Sequence, residues 1–381
     1  MSTTAAHDPQ LELFLATARA FLDSETPGVR VRELHGRGLA FERDWWRQVA
    51  ELGWTSLLVS DGLGGGSVSG DGVADAVKIA DLFGRTVAPG PLLPVSAVAV
   101  ALSGASTAHA HSDVAQGLID GRVVAAWAVE EPGRRFGDPP TTSATRTAGG
   151  FRIDGLKDRV EAGSTSDVLL VTARTESGVG QFLVPREAAG VTVTPLATVD
   201  LVRDYAAIRF DGAEVSADAA VGTDSETATL VDRATQIVQL LQCAEMVGAL
   251  DRVFDMTVAW ARDRHSFGRP LASYQALKHR FADMKTQLEA CRAIVATAAR
   301  AVSAQSAAAP VTVSAAKAFV GEYAVASIQD CVQLHGGIGV TWEHDLHLYL
   351  RRVEVDRALF GTTEEHQERV YALAAGTELA R

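Results

Sequence analysis

The sequence predicts an α+β protein with a β domain between two helical domains, and three observations carry that expectation. A stretch of about 100 residues in the middle of the chain breaks into short apolar, β-branched runs punctuated by glycine and proline. The residues before it show apolar spacing suited to helix faces. After it come three apolar helical patterns too long to stand alone in water, which antiparallel packing in a bundle would bury. The expected domains are residues 1–121, 122–222 and 223–381 of a 381-residue chain.

In the first region Leu11, Leu13, Phe14, Ala18 and Phe21 share one helix face. Trp45, Trp46, Val49, Leu52 and Trp54 form a second apolar set. Asp71 to Leu82 reads as a helix that stops at Gly84. The glycine run from Gly62 to Gly66 lacks the Gly-Lys-Ser/Thr ending of a phosphate loop and reads as a surface loop. In the middle region, strands are expected at residues 123–129, 168–171, 181–184 and 191–193, with breaks at Gly149-Gly150, Pro185, Gly190 and Asp211-Gly212. A sandwich or barrel is the usual way to close so small a β domain. The last region carries helical patterns over Thr229 to Arg264, Tyr274 to Ser303 and Val311 to Leu334, with an Ala/Ser-rich connection before Pro310.

Composition narrows the function. A net charge of −12 argues against nucleic acid as a partner, while leaving room for an anionic ligand held by a few local cations. Cys243, Cys291 and Cys331 are far apart, show no metal-ligand spacing and each sits in an apolar stretch. No metal is expected, and the thiols suit a reducing cytoplasm. Residues 1–10 lack the layout of a signal peptide, and no run of about 20 uninterrupted apolar residues suggests a membrane span.

Three segments carry the chemistry. The first is Arg262-Asp263-Arg264-His265-Ser266-Phe267-Gly268-Arg269-Pro270, a corner between two helices. It can offer guanidinium and hydroxyl groups to a phosphate, although alone it reads more readily as a basic helix end. The second runs Gln333-Leu334-His335-Gly336-Gly337-Ile338-Gly339. Its glycines permit close backbone approach to a ligand, or simply stop a helix. The third is Tyr349-Leu350-Arg351-Arg352, followed by Leu359-Phe360-Gly361-Thr362-Thr363-Glu364.

In this order and at these separations, the segments closely resemble the C-terminal domain of acyl-CoA dehydrogenases. Ile208-Arg209-Phe210-Asp211, Val221-Gly222, Phe83-Gly84-Arg85 and Pro91-Leu92-Leu93 extend the likeness over nearly the whole chain. The resemblance implies a helical domain, a β domain and a C-terminal four-helix bundle, assembled as a dimer of dimers. It implies an FAD at a subunit interface, its adenine and pyrophosphate end held by a neighbour's C-terminal domain. The matching residues are Arg264, Ser266, Phe267, Gln333, Gly336 and Gly337, with Thr362 and Glu364 of the third segment. Glu364 departs from the family's usual Gln. The implied reaction is α,β-dehydrogenation of an acyl-CoA thioester, in which a carboxylate takes the α-proton.

That carboxylate is missing. Its usual place, before the Gly-Thr pair, is Phe360, and its alternative place on the preceding long helix is Val238. The one acid left on that helix stretch is Glu245, seven residues on and on roughly the same face. It is a candidate base, or else a buried acid with a structural partner. The flavin-facing Lys-x-Trp-Ile-Thr-Asn of the family becomes Lys157-Asp158-Arg159-Val160-Glu161-Ala162, and its Thr-Glu-Pro-Gly becomes Glu130-Glu131-Pro132-Gly133. The pattern resembles one subunit of the bacterial α2β2 acyl-CoA dehydrogenases of sterol side-chain or dicarboxylic acyl-CoA degradation. A second dehydrogenase subunit is therefore an expected partner, beside the acyl-CoA itself. The other readings are a homotetrameric or homodimeric dehydrogenase using Glu245, a flavin monooxygenase, and an assembly protein that has kept the fold.

Overall fold

The computed structural model describes residues 8–376. The N-terminal unit contains α1 (Pro9–Glu25), α2 (Gly28–Gly36), α3 (Arg43–Glu51), α4 (Gly72–Thr86), α5 (Leu92–Gly104) and α6 (Ser112–Ile119). Asp8 caps α1 by accepting the Gln10 amide at 3.0 Å, and Asp71 caps α4 by accepting that of Ala74 at 3.0 Å. Trp45, Trp46, Trp54 and Phe83 pack edge-on or tilted against Phe21, Phe41 and one another to form the centre of this unit.

The β unit comprises β1 (Ala125–Ala128), β2 (Ser143–Thr147), β3 (Gly150–Glu161), β4 (Val168–Thr175), β5 (Gly178–Pro185), β6 (Val191–Leu196) and β7 (Tyr205–Ser216). They make one sheet in the order β1-β4-β2-β3-β7-β6, with β5 also paired to β4. The pairing is antiparallel except for β1 and β2 against β4. Register shifts between β3 and β7, after Ile153 and after Lys157, bend the two long strands. Strands β2, β3 and β7 lie outside the apolar runs that announce β1, β4, β5 and β6. They alternate polar and apolar residues, as in Arg152-Ile153-Asp154 and Ile208-Arg209-Phe210, because one face meets solvent.

The C-terminal unit begins with α7 (Thr227–Asp263), followed by a hairpin of β8 (His265–Ser266) and β9 (Arg269–Pro270). Then come α8 (Gln275–Ser303), α9 (Ala309–His335), α10 (Leu346–Ala358) and α11 (Thr363–Ala374). Helices α7 and α8 pack on α9, whose other side receives α10 and α11. Residues Ala309–Val340 are the one helical stretch, among the described residues, long and apolar enough by composition to cross a membrane. Here the stretch is the central helix of the bundle, and it carries the buried charge of Lys317.

Helix α7 also packs on α4 and α5, joining the two helical units. The α4 contact explains Gly84, which does not stop a helix: α4 continues to Thr86 and ends at Val87, whose φ of 50° is left-handed. A Cβ on Gly84 would lie 1.9 Å from the Glu245 carbonyl oxygen, and one on Gly248 would lie 1.9 Å from that of Asp81. The two helices therefore meet backbone to backbone.

Candidate functional site

The residues expected to hold a cofactor tail fall into two places. Arg264 is the C-cap of α7, with its guanidinium 5.8 Å above the Trp260 ring. Trp260 in turn stacks on His335, the last residue of α9, at 5.4 Å and 17°. That stack brings the first and second segments side by side. Gln333, Gly336 and Gly337 are exposed there, and a Cβ on either glycine would meet nothing within 4 Å. On the adjoining hairpin Ser266 accepts the Tyr274 hydroxyl through its backbone carbonyl at 2.6 Å, which leaves its own hydroxyl unused. Phe267, at φ 50°, is 97% exposed. The cluster is an open, cationic, glycine-edged surface.

Thr362 and Glu364 are elsewhere. Thr362 caps α11, its hydroxyl accepting the Glu365 amide at 3.3 Å while the Glu365 carboxylate accepts the Thr362 amide at 3.0 Å. The neighbouring Phe360 carbonyl accepts from Gln239 Nε2 at 2.9 Å. Gln239 and Arg264 stand 25 positions apart on α7, roughly 37 Å at the helical rise. The two groups of predicted residues thus lie far apart along one helix, the first at its C-terminus and the second beside its first half.

The site at Phe360 holds the cleft. Val238 and Phe360, far apart in sequence, line one cavity together with Trp127, Glu130, Arg159 and Glu161. Its volume of about 10 Å³ is room for roughly one water molecule. The Phe360 ring fills the space, stacked on Trp127 at 5.7 Å and 20°. Its backbone is pinned in a left-handed conformation, φ 57°, by two further hydrogen bonds. Its amide donates to Glu130 Oε1 at 3.1 Å, and its carbonyl also accepts from His366 Nε2 at 3.0 Å. A larger cavity of about 310 Å³ adjoins, between the β unit and α7, with Gln239, Phe136 and Arg369 in its wall.

Glu245 does not reach this cavity. It is fully buried and accepts two hydrogen bonds from Arg203 Nη2, at 2.6 and 2.5 Å. Arg203 also donates to Asp356 at 3.0 Å and lies 3.5 Å from Glu161. Arg352 donates to Asp200 at 2.5 Å and to the Ala88 carbonyl. Four carboxyls, those of Glu161, Asp200, Glu245 and Asp356, thus share two guanidinium groups. Burial pushes Glu161 up to about 7 and Asp356 well above the usual carboxylate range. Sequence reasoning finds Glu245 and misses its partners.

The altered flavin-facing segment keeps its lysine for a structural reason. Lys157 is fully buried and donates to Glu131 at 2.8 Å and to the Val129 carbonyl at 3.1 Å. Glu131 also accepts the Thr141 and Thr142 amides. Burial opposes its charge, but the Lys157 and Thr141 hydrogen bonds hold Glu131 down at about 2.

Comparison with known proteins supplies the relationship. The acyl-CoA dehydrogenase N-terminal domain model matches residues 8–121, and the acyl-CoA dehydrogenase C-terminal domain model matches residues 230–374. The acyl-CoA dehydrogenase IpdE2 of Mycobacterium tuberculosis is 30% identical over 88% of this chain and 88% of its own. Among solved structures, the ChsE4-ChsE5 complex from the same organism has a chain that superposes with a TM-score of 0.87 at 27% identity, covering all of both chains. A glutaryl-CoA dehydrogenase from Mycobacterium smegmatis in complex with FADH2 shares the fold, with a TM-score of 0.84 at 19% identity over 98% of this chain and 97% of its own.

Proposed function

The chain belongs to the acyl-CoA dehydrogenase family, and from that premise we propose that it is the base-lacking subunit of a heteromeric, FAD-dependent acyl-CoA dehydrogenase. One observation carries the reading. Both places where the base is expected, Val238 and Phe360, line the same cavity, and neither side chain can accept a proton. Glu245 is the wrong acid for the task, since Arg203 holds both of its oxygens. We assign it a structural role.

The residues present fit one end of FAD and not the other. Arg264 has no carboxylate partner among the described residues and can face a pyrophosphate, while Gly336 and Gly337 leave room for close backbone approach. Ser266 and Phe267 extend that surface. Beside the first half of α7, the cavity of about 10 Å³ where the Phe360 ring stacks on Trp127 has no space for a flavin ring. A cofactor tail at Arg264 therefore belongs to a flavin seated in a neighbouring subunit. When bound, FAD supplies the acceptor for the β-hydride of the acyl thioester. This chain contributes charge and shape at the tail, and the partner subunit contributes the base.

In this reading the assembly is a heterotetramer acting on an acyl-CoA, with domains 1–121, 122–222 and 223–381 in this chain. Three buried, free cysteines suit a reducing cytoplasm. The test is co-expression with a partner dehydrogenase subunit. The complex is expected to be yellow and to oxidise an acyl-CoA, and the isolated chain to be colourless and inactive. Should the isolated chain bind one FAD per subunit and turn over an acyl-CoA, and Glu245→Gln abolish that turnover, the proposal fails and Glu245 is the base.

A further inference from the structure

A second cavity, of about 470 Å³, lies on the other side of α4 and shares no lining residue with the cleft at Phe360. Its walls are aliphatic: Leu15 from α1, Val77 and Leu82 from α4, Val247 from α7, and Val295 and Ala299 from α8. Cations outnumber acids around it, with Arg19, Lys78, Arg292 and Arg300 against Asp71 and Asp81. Most of these charges are engaged. Asp71 caps α4 and accepts the Ser303 hydroxyl. Arg292 pairs with Asp251 and Glu289, and Lys78 lies 3.7 Å from Asp75.

Two guanidinium groups remain without a carboxylate among the described residues. Arg19 is exposed on α1, and Arg300 on α8 is held only by the Thr297 hydroxyl at 3.0 Å. An aliphatic chamber of ordinary ligand size, bordered by two unspent guanidinium groups, matches one chemical class. The alkyl part buries against the aliphatic walls, and a carboxylate meets the arginines. We propose that this cavity binds a free alkyl carboxylate, its chain inside and its carboxylate between Arg19 and Arg300.

Asp81 modulates the site. It makes no ion pair among the described residues, and burial pushes its carboxyl up to about 6, against the pull of Arg85, Arg292 and Arg19. Lys78 and Asp71 at the start of its own helix and Arg300 on α8 are the other charges around the chamber, and the α7 residues that line the cavity, Ala244 and Val247, carry none. An ionised Asp81 repels a ligand carboxylate and a protonated one does not, so affinity falls as pH rises through about 6.

The probe is decanoate below its micellar concentration, titrated calorimetrically into the full chain or its complex. Saturable binding of one decanoate per chain is expected. Replacing both arginines, Arg19→Leu with Arg300→Leu, should weaken it by roughly tenfold or more. Val295→Trp, which fills the chamber, should abolish binding without altering the circular dichroism spectrum. Asp81→Asn should tighten binding at neutral pH and remove its pH dependence. Decanol should bind more weakly than decanoate. No saturable binding, binding unchanged in Val295→Trp, decanol equal to decanoate, or association with anionic phospholipid vesicles alone would each overturn the proposal.

Discussion

The two sites along α7, one at Arg264 and one at Phe360, differ as an open hand differs from a closed one. At the Arg264 end, a guanidinium, an exposed phenylalanine and two unhindered glycines face outward. At Phe360, an aromatic stack, a left-handed backbone and four charged residues, Glu130, Asp158, Arg159 and Glu161, close one cavity down to about one water beside the larger one of about 310 Å³. Both sites sit on one fold, so the fold does not decide which of them can bind. The difference lies in a handful of side chains, and it teaches that one fold can keep an open surface at one place while a few residues fill a cleft at another.

The largest effect is expected where the closed end is held together. Arg203→Ala leaves Glu245, Asp356 and Glu161 buried without their common cation. It should cost about 3–5 kcal/mol, enough to lose the soluble fold. Urea denaturation of Arg203→Ala against a double Arg203→Met, Glu245→Met variant, which removes charge from both sides, checks this. Equal losses in the two would mean that the ion network does not organise the cleft. Next comes the open end: Arg264→Ala should weaken FAD retention by the assembled complex roughly tenfold, the loss of one charge-assisted contact of about 1.5–3 kcal/mol. Unchanged retention, followed by flavin absorbance during dialysis, would break the comparison.

A third expectation concerns pH and separates two carboxyls of the β unit. Burial raises the folded pKa of Glu161 to about 7, from an ordinary 4.5. Its contribution to stability is present below 4.5 and is lost as pH rises through about 7. Glu131 is held down at about 2, so its contribution is present above 4.5 and is lost as pH falls toward 2. Glu161→Gln should raise the melting temperature at about pH 8 and flatten the alkaline decline, whereas Glu131→Gln should lower it at neutral pH. The smallest effect is Thr362→Ala, which removes a helix cap worth about 0.5–2 kcal/mol. If it also releases FAD as readily as Arg264→Ala does, the cap residue shares in cofactor binding and the separation of the two ends is less complete.

Local pattern made much of this architecture legible. Helices α7, α8 and α9 appear from apolar spacing to within a few residues, and β4 and β5 from their apolar runs. Strands β3 and β7 do not, because a half-exposed strand such as Arg152-Ile153-Asp154 spends alternate positions on charge. Gly84 looks like a stop in sequence, since nothing local reveals a partner helix pressed against it. At the cleft, the convergence of Val238 and Phe360 rests on the family resemblance, not on spacing. The partner of Glu245 lies 42 residues away on another unit, and no sequence pattern announces a pair of that kind. The open end was read from motifs, and the structure adds the Trp260–His335 stack that joins them.

The glycine seam between α4 and α7 has a mechanical consequence. With Gly84 seated on the Glu245 carbonyl and Gly248 on that of Asp81, no Cβ at these two positions separates the backbones, and the crossing cannot tilt or slide as a gear would. The N-terminal helices and the bundle are welded at that line and turn as a single block.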